Sequence, residues 1–207
     1  RFFEAYERAF ALPDEKEAIE GFRACLAMNA GNASSGPPSH CELIAVIEDE
    51  EGALLGGANF LATAIQPLPR HPSIAVALNY LFVDRAARGR GYSRLLLSVV
   101  AQLSARALGD RAGPPAIFIE QNDPLRMTEA EYYEDSERGG TDQVERLRLW
   151  QHLGARAVDF AYVQPALSAD QAAEDALVYS VLGFSGPQMS ARFLRDHLRS
   201  FFQISVL

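Results

Sequence analysis

The residues whose types and spacing best suit chemistry lie in "DRAARGRGYSRLL", residues 84–96, where four arginines and two glycines fall within thirteen positions. An apolar run precedes this stretch and another follows it, so it reads as a connection from a strand into a helix. Glycine enters backbone conformations that other residues adopt reluctantly. The first amides of a helix have no intrahelical acceptors, and the helix dipole there attracts negative charge. Gly89 and Gly91 leave the amides of residues 89–93 unobstructed, while Arg88, Arg90 and Arg94 could set donors beside them. Such an arrangement suits a phosphate. The alternative is a tight connection carrying a solvated arginine cluster, and local physics does not separate the two. Two familiar phosphate motifs fail: a dinucleotide fingerprint needs a third glycine where Arg94 stands, and a nucleoside-triphosphate loop needs a lysine that is not nearby.

Other chemistries find no support. His40, His71, His152 and His197 are scattered, and although His40 adjoins Cys41, nothing supplies the remaining ligands of a zinc site. No metal is therefore expected. No G-x-S-x-G element points to a serine hydrolase. Cys25 and Cys41 lack the close spacing of a ligand set or a disulfide framework, which fits a reducing compartment.

The elements that must position the glycine-arginine stretch follow from periodicity and turn chemistry. "FFEAYERAF" and "DEKEAIEGFRACLAM" read as two helices broken at Pro13, the second with acidic residues in its first turn and Ile19, Phe22 and Leu26 on one face. "NAGNASSGPPS", residues 29–39, reads as a loop. "CELIAVIED" and "GALLGGANFLAT" form a hairpin, and "SIAVALNYLFV", residues 73–83, is a third strand. A helix over about 91–108 has Leu95, Val99 and Leu103 as its buried stripe and stops at Gly109. "AIFIE" is a short strand ending at Glu120. A short helix over "MTEAEYYEDSE" follows, then one over about 142–152 with Val144, Leu147 and Leu149 as apolar positions. "ARAVDFAYVQP" and "EDALVYSVLG" read as two strands, and "GPQMSARFLRDHLRSFF" as a closing helix with Pro187 near its first turn. One α/β domain over 1–207 accounts for all of it, with 184–207 as a C-terminal helical extension.

Composition bounds the partners. The formal net charge is -8 and the hydrophobic fraction 48%. These values fit a globular chain and argue against broad nucleic-acid binding, which needs many phosphate contacts. No apolar stretch approaches the roughly 20 residues that span a bilayer. No signal peptide is visible, so cytoplasmic location is the default, although the chain begins at Arg1 rather than Met.

In its full context, "LNYLFVDRAARGRGYSRLLLSVV" resembles the cofactor motif of the GCN5-related N-acetyltransferase (GNAT) superfamily, R/Q-x-x-G-x-G/A after a strand. The match is Arg88, Gly91 and Ser93, with Gly89 and Arg90 between them. Ser93 departs from the final glycine or alanine but is small. The surrounding order of elements, over residues 1–183, resembles the family too, except for a strand usually found before the first helix. That strand would lie upstream of Arg1, or this member lacks it.

The resemblance implies a GNAT-like acyl-CoA N-acyltransferase fold, with a splayed, mostly antiparallel mixed sheet flanked by helices. It implies that amides of Arg88, Gly89, Arg90, Gly91, Tyr92 and Ser93 hold the pyrophosphate of acetyl-CoA, or another acyl-CoA, as acyl donor, while Arg94 or Arg85 reaches other phosphates. The gap between strand 73–83 and the strand ending at Glu120 would take the pantetheine arm along the backbone of Leu81, Phe82 and Val83. The amide of Phe82 or Leu81 would polarise the thioester. Leu81 and Phe82 side chains also read as ordinary core. Glu120 is the candidate general base, against the reading of a solvent-facing strand end. Tyr80 and Asn79 precede the gap, and alternation sends one of them into it. Tyr80 would contact the acceptor or join the core.

The family's acid is a tyrosine near the end of the penultimate helix. In "LWQHLGA" that position is Trp150, which cannot donate the proton. Tyr162 or Tyr133 takes the role, or the thiolate leaves unaided. The acidic segment 121–140 would attract a cationic amine or is a solvated surface. Arg146 and Arg148 would bridge to it or bind a substrate carboxylate. The expected activity is acetyl-CoA-dependent N-acetyl transfer to the primary amine of a small molecule or peptide, by a monomer or homodimer. The alternative is a non-catalytic acyl-CoA-binding or regulatory module, which Trp150 favours.

Overall fold

The computed structural model describes residues 1–10, 16–32, 37–109, 111, 113–166 and 172–206. Six strands form one mixed sheet in the order β1-β2-β3-β4-β6-β5. They are β1 His40–Glu48, β2 Leu54–Ala64, β3 Ile74–Val83, β4 Ala116–Asn122, β5 Arg156–Ala157 and β6 Leu177–Leu182. All neighbours are antiparallel except β3 and β4. The β1–β2 hairpin is set locally: the Asp49 carboxylate accepts the Ala53 amide at 2.7 Å, and Gly52 takes the left-handed region at φ +82°. The α-helices among the described residues are α1 Phe2–Ala9, α2 Ile19–Met28, α3 Tyr92–Ala107, α4 Glu129–Gly139, α5 Gln143–Leu153 and α6 Ala191–Phe201.

The parallel pair is short. Ala75, Val76 and Ala77 pair with Ala116, Ile117 and Phe118, after which β3 runs on to Val83 and β4 to Asn122 without pairing each other. The sheet therefore opens between its two central strands, as the sequence resemblance implies. On one face, Leu96 and Val100 of α3 and Trp150 and Leu153 of α5 pack against Phe60, Ile74, Val76, Leu78, Ile117 and Ile119. On the other face, α1 and α2 enclose an aromatic cluster containing Tyr6, Phe22, Tyr80 and Phe82. Beside it, Phe193 of α6 packs on Phe118 and Tyr179. The C-terminal helix thus lies on the chain's own sheet.

A bulge in β3 changes which side chains point where. Asn59 is opposite Tyr80, but the next residue of β2, Phe60, is opposite Leu78, so Asn79 is an extra residue. Before it, Ile74, Val76 and Leu78 face α3; beyond it, Leu81 and Val83 do, while Tyr80 and Phe82 face α1 and α2. Simple alternation sends only one of Asn79 and Tyr80 to that second face. The bulge sends both.

Several expected boundaries shift. The break at Pro13 and the acidic start at Asp14 and Glu15 lie outside the described residues. α2 begins only at Ile19, so its first turn holds a single acid, Glu20. Asn29–Asn32, expected as loop, continues as one 3-10 turn. The buried stripe of α3 is Leu96, Val100 and Ser104 rather than Leu95, Val99 and Leu103. Leu95 is exposed, because three consecutive leucines allow the helix to dock one position round. On α5, Val144 and Leu149 are exposed and the inward face runs through Gln143 to Trp150. The strand expected over 155–165 shrinks to Arg156–Ala157 plus an isolated bridge from Gln164 to Glu174. The closing helix starts after Ser190, whose hydroxyl accepts the Arg192 amide, so Pro187 lies ahead of it.

α4 carries an acidic, mostly exposed sequence and relies on its cap. The Thr128 hydroxyl accepts the Glu131 amide at 3.3 Å, and the Glu131 carboxylate accepts the Thr128 amide at 2.8 Å. Thr128→Ala is expected to cost about 1 kcal/mol, read as a lower urea midpoint with an unchanged slope.

Candidate active site

At one end of the opening stands the glycine-arginine loop. A 3-10 turn, Arg85–Ala87, is capped by Asp84, whose carboxylate accepts the Ala86 amide at 2.9 Å. The chain then passes through Gly89 and Gly91 at φ +78° and +82°, conformations that disfavour any side chain with a β-carbon. No heavy atom lies within 4 Å of where a β-carbon would stand at either glycine, so this backbone is open to a ligand. Gly91 is the N-cap of α3 and offers no side-chain acceptor to the helix. The amides of Tyr92, Ser93 and Arg94 therefore begin α3 as donors, with the positive end of its dipole behind them.

The arginines differ. Arg88 donates to the Gly140 carbonyl and the Thr141 hydroxyl, both at 3.3 Å, and Arg94 to the His152 carbonyl at 3.3 Å. These bonds tie the loop to the α4–α5 connection and to the end of α5. Arg90 is exposed and has no side-chain partner among the described residues. An open, left-handed backbone with helix-start amides and an adjacent guanidinium fits a pyrophosphate.

At the other end stands Glu120, in the part of β4 that no longer pairs with β3. Ile117 and Ile119 face α3, while Phe118 and Glu120 face the α6 side. Burial pushes the Glu120 carboxyl up to about 7, against a hydrogen bond donated by the Tyr162 hydroxyl, which favours the charged form. Tyr162 is buried and stacks on Tyr179 with ring centroids 4.3 Å apart. Burial and the neighbouring Glu120 charge hold its own hydroxyl well above the usual phenol range. Ala77, Leu78, Asn79, Phe118, Tyr179 and Phe201 enclose the space beside Glu120.

Between these ends, the β3 backbone at Leu81, Phe82 and Val83 pairs with Ala58, Gly57 and Gly56 of β2 on one edge. Its other edge faces the opening. The Phe82 side chain is buried in the aromatic cluster, and that of Leu81 packs towards α3.

The remaining expected residues are distributed as follows. Tyr80 stands edge-on to Tyr6 at 4.7 Å and its hydroxyl is hydrogen-bonded to that of Tyr6, which also accepts the Glu17 amide at 2.6 Å. Its hydroxyl is thus engaged away from the opening. Tyr133 lies on α4 and is 61% exposed, remote in character from a buried acid. Trp150 is half-buried against α3. Arg146 pairs with the buried Asp135 at 3.3 Å, and Arg148 with Glu145 on its own helix, so both serve the surface of α4 and α5.

Sequence reasoning missed three groups. Glu42 and Asn59 are buried polar residues of β1 and β2 whose side chains meet Asn79. His197 is buried on α6 and shares a hydrogen bond with the Tyr179 hydroxyl at 2.7 Å; burial pushes it down to about 3. An isolated acid within an otherwise apolar strand was the available signal for Glu42.

No protein-family model and no curated protein matches the chain. Solved structures similar to it include Arabidopsis thaliana NAA60 in complex with acetyl-CoA, at 14% identity and a TM-score of 0.48, over 87% of this chain and 91% of that one. An aminoglycoside 6'-N-acetyltransferase complexed with coenzyme A shows 14% identity and a TM-score of 0.40, over 74% and 77% of the two chains. The ribosomal-protein-S18-alanine N-acetyltransferase from Escherichia coli shows 12% identity and a TM-score of 0.38, over 84% and 96%. The chain's own strand order and register show a mixed sheet that parts between its two central strands.

Proposed function

We propose that the chain is an acetyl-CoA-dependent N-acetyltransferase acting on the primary amine of a small molecule or peptide by direct attack. One observation carries the reading: two parallel strands part beyond Ala77 and Phe118, with an open glycine-arginine helix start after one and a half-buried acid on the other. The names of the similar solved structures, acetyltransferases among them, agree with it.

The donor brings a thioester, whose carbonyl carbon is the electrophile. The amides at the start of α3 hold its pyrophosphate, with Arg90 as the available counter-charge. The open edge of β3 at Leu81–Val83 pairs with its amide-bearing arm, and an amide there polarises the thioester carbonyl. Glu120 receives the proton of the attacking amine. A carboxyl held near 7 is a stronger base than an ordinary one while still ionised in useful proportion at neutral pH. Tyr162 fixes the orientation of that carboxylate. Since the Tyr162 hydroxyl is bonded to Glu120 and the Tyr80 hydroxyl to Tyr6, the coenzyme A thiolate leaves on the strength of its own low basicity. Phe201 bounds the acceptor side, so α6 limits the size of what enters.

Trp150 sustains the reading as a non-catalytic acyl-CoA-binding module, and two measurements separate it from the enzyme. Acetyl-CoA at about 100 times its Kd is expected to stabilise the fold by roughly 2.7 kcal/mol, raising Tm by about 5–11 °C for a domain of this size. Gly91→Val, strained at its positive φ and projecting into the phosphate path, removes that shift. A wild-type chain that shows no shift overturns both readings. Binding without thiol release across amines, amino acids and peptides overturns the enzyme alone.

A further inference from the structure

The space beside Glu120 is lined by a second polar residue, Asn79, and its hydrogen bonds decide which of its atoms is left without a partner. Asn79, the bulge residue of β3, and Glu120 each stand two positions beyond the last paired residues, Ala77 and Phe118, and line the same space. The orientation of Asn79 follows from its neighbours. The Asn59 amide nitrogen donates to the Glu42 carboxylate at 2.6 Å and to the Leu43 carbonyl at 3.3 Å. A backbone carbonyl only accepts, so the Leu43 bond fixes Asn59 with its oxygen turned to Asn79. Asn79 must then present its nitrogen, which donates to the Asn59 oxygen at 3.2 Å and to the Glu42 carboxylate at 3.4 Å. Turning the amide over would set its oxygen against those two acceptors. The Asn79 Oδ1 atom is left buried and without a partner among the described residues.

We infer that Asn79 is the second acceptor-binding residue, its Oδ1 and the Glu120 carboxylate together receiving the two N–H groups of an attacking primary amine, with Glu42 and Asn59 as the residues that position it. The inference rests on the acyl-transfer reading and deepens it. A neutral primary amine has two hydrogens and one lone pair. With both hydrogens held by acceptors, the lone pair is directed away from them, towards the thioester. A secondary amine or an alcohol has one hydrogen and leaves one of the two acceptors unmatched, which costs binding in a buried site. Of the neighbouring hydroxyls, that of Tyr179 is bonded to His197 and that of Tyr162 to Glu120. Both open positions are acceptors, and the site therefore selects by counting donors. Glu42 carries the load of the arrangement from β1, where Asn29 of the 3-10 turn brackets its backbone with bonds of 2.8 and 2.9 Å.

The experiment follows thiol release from acetyl-CoA with benzylamine, N-methylbenzylamine and benzyl alcohol as probes, in the wild type, Asn79→Ala and Asn79→Ser. The wild type is expected to favour benzylamine over N-methylbenzylamine by at least about tenfold in kcat/KM, with no turnover of the alcohol. Asn79→Ala raises KM for benzylamine about tenfold and collapses that preference towards unity. Asn79→Ser, which loses the same bonds to Asn59 but keeps an oxygen, retains part of it. The preference is a ratio within one protein, so partial loss of folded material does not move it. Stabilisation by acetyl-CoA is measured in parallel and stays unchanged in both variants. An Asn79→Ala protein with the wild-type preference overturns the inference and leaves the proposed function standing. A wild type that binds acetyl-CoA but turns over no primary amine overturns both.

Discussion

Glu120→Gln is expected to lower kcat by about 10²–10⁴-fold, the range for removing a positioned general base, while the stabilisation by acetyl-CoA is retained. The wild-type profile of kcat/KM should rise with pH through about 7, where burial has moved the carboxyl; the glutamine variant loses that limb and keeps only the ionisation of the amine. Stability moves the other way. A carboxyl whose folded pKa is raised binds its proton more tightly in the folded chain, so the associated stability is present below the unfolded value and lost as pH rises through about 7. At pH 8 the wild type therefore holds an ionised, half-buried carboxylate at a cost that glutamine does not incur. Glu120→Gln should be more stable than the wild type there, on the order of 1–3 kcal/mol, with the difference vanishing near pH 4. Glutamine still accepts the Tyr162 hydrogen. A variant with full activity, or one less stable at pH 8 than at pH 4 relative to the wild type, would sink the assignment.

Phe118→Ala is expected to destabilise the chain by about 3–5 kcal/mol, or roughly 6–20 °C in Tm. Phe118 is 1% exposed and stacks on His197 with centroids 4.0 Å apart, on Tyr179 at 5.5 Å and near Phe193 at 6.2 Å. Its ring lies where β4, β6 and α6 meet. The walls of the resulting hole are aromatic and tied by the Tyr179–His197 hydrogen bond, so they cannot close inwards easily. Because the same ring lines the space beside Glu120, the variant should also loosen α6 and raise exchange of its amides before the sheet opens. Urea unfolding with hydrogen exchange reads both effects. A loss below about 1 kcal/mol would mean that the site collapses and the packing is not what anchors α6.

Both expectations depend on contacts with very different visibility in the chain. The open loop was legible: Gly89 and Gly91 adopt positive φ for reasons contained within a few residues, and the helix start that follows is equally local. So was Glu120 as the acid of an apolar strand, although β4 runs two residues past its expected end, to Asn122. Tyr162 was legible only as one of two tyrosines, with Tyr133, that could replace the missing acid. Nothing in the sequence joined it, in a segment that forms almost no strand, to Glu120 42 positions away. Tyr80 was expected to contact the acceptor or join the core; it packs beside Tyr6, and no spacing rule connects those two residues. The Leu95–Leu97 run offered α3 three alternative inward faces, and the sheet chose the one through Leu96.

The amino-acid sequence by itself determined the order of most elements, the left-handed glycines and the helix start that follows them. These depend on backbone sterics and hydrogen bonds that close within one turn. Only the tertiary structure decided the side-chain phase of β3, the orientation of Asn79 and the docking of α6 over Phe118 and Tyr179. A bulge is a mismatch of count between two strands, and an amide's orientation is set by the acceptors around it. Neither exists until Glu42, Asn59 and Asn79 are brought together from three strands.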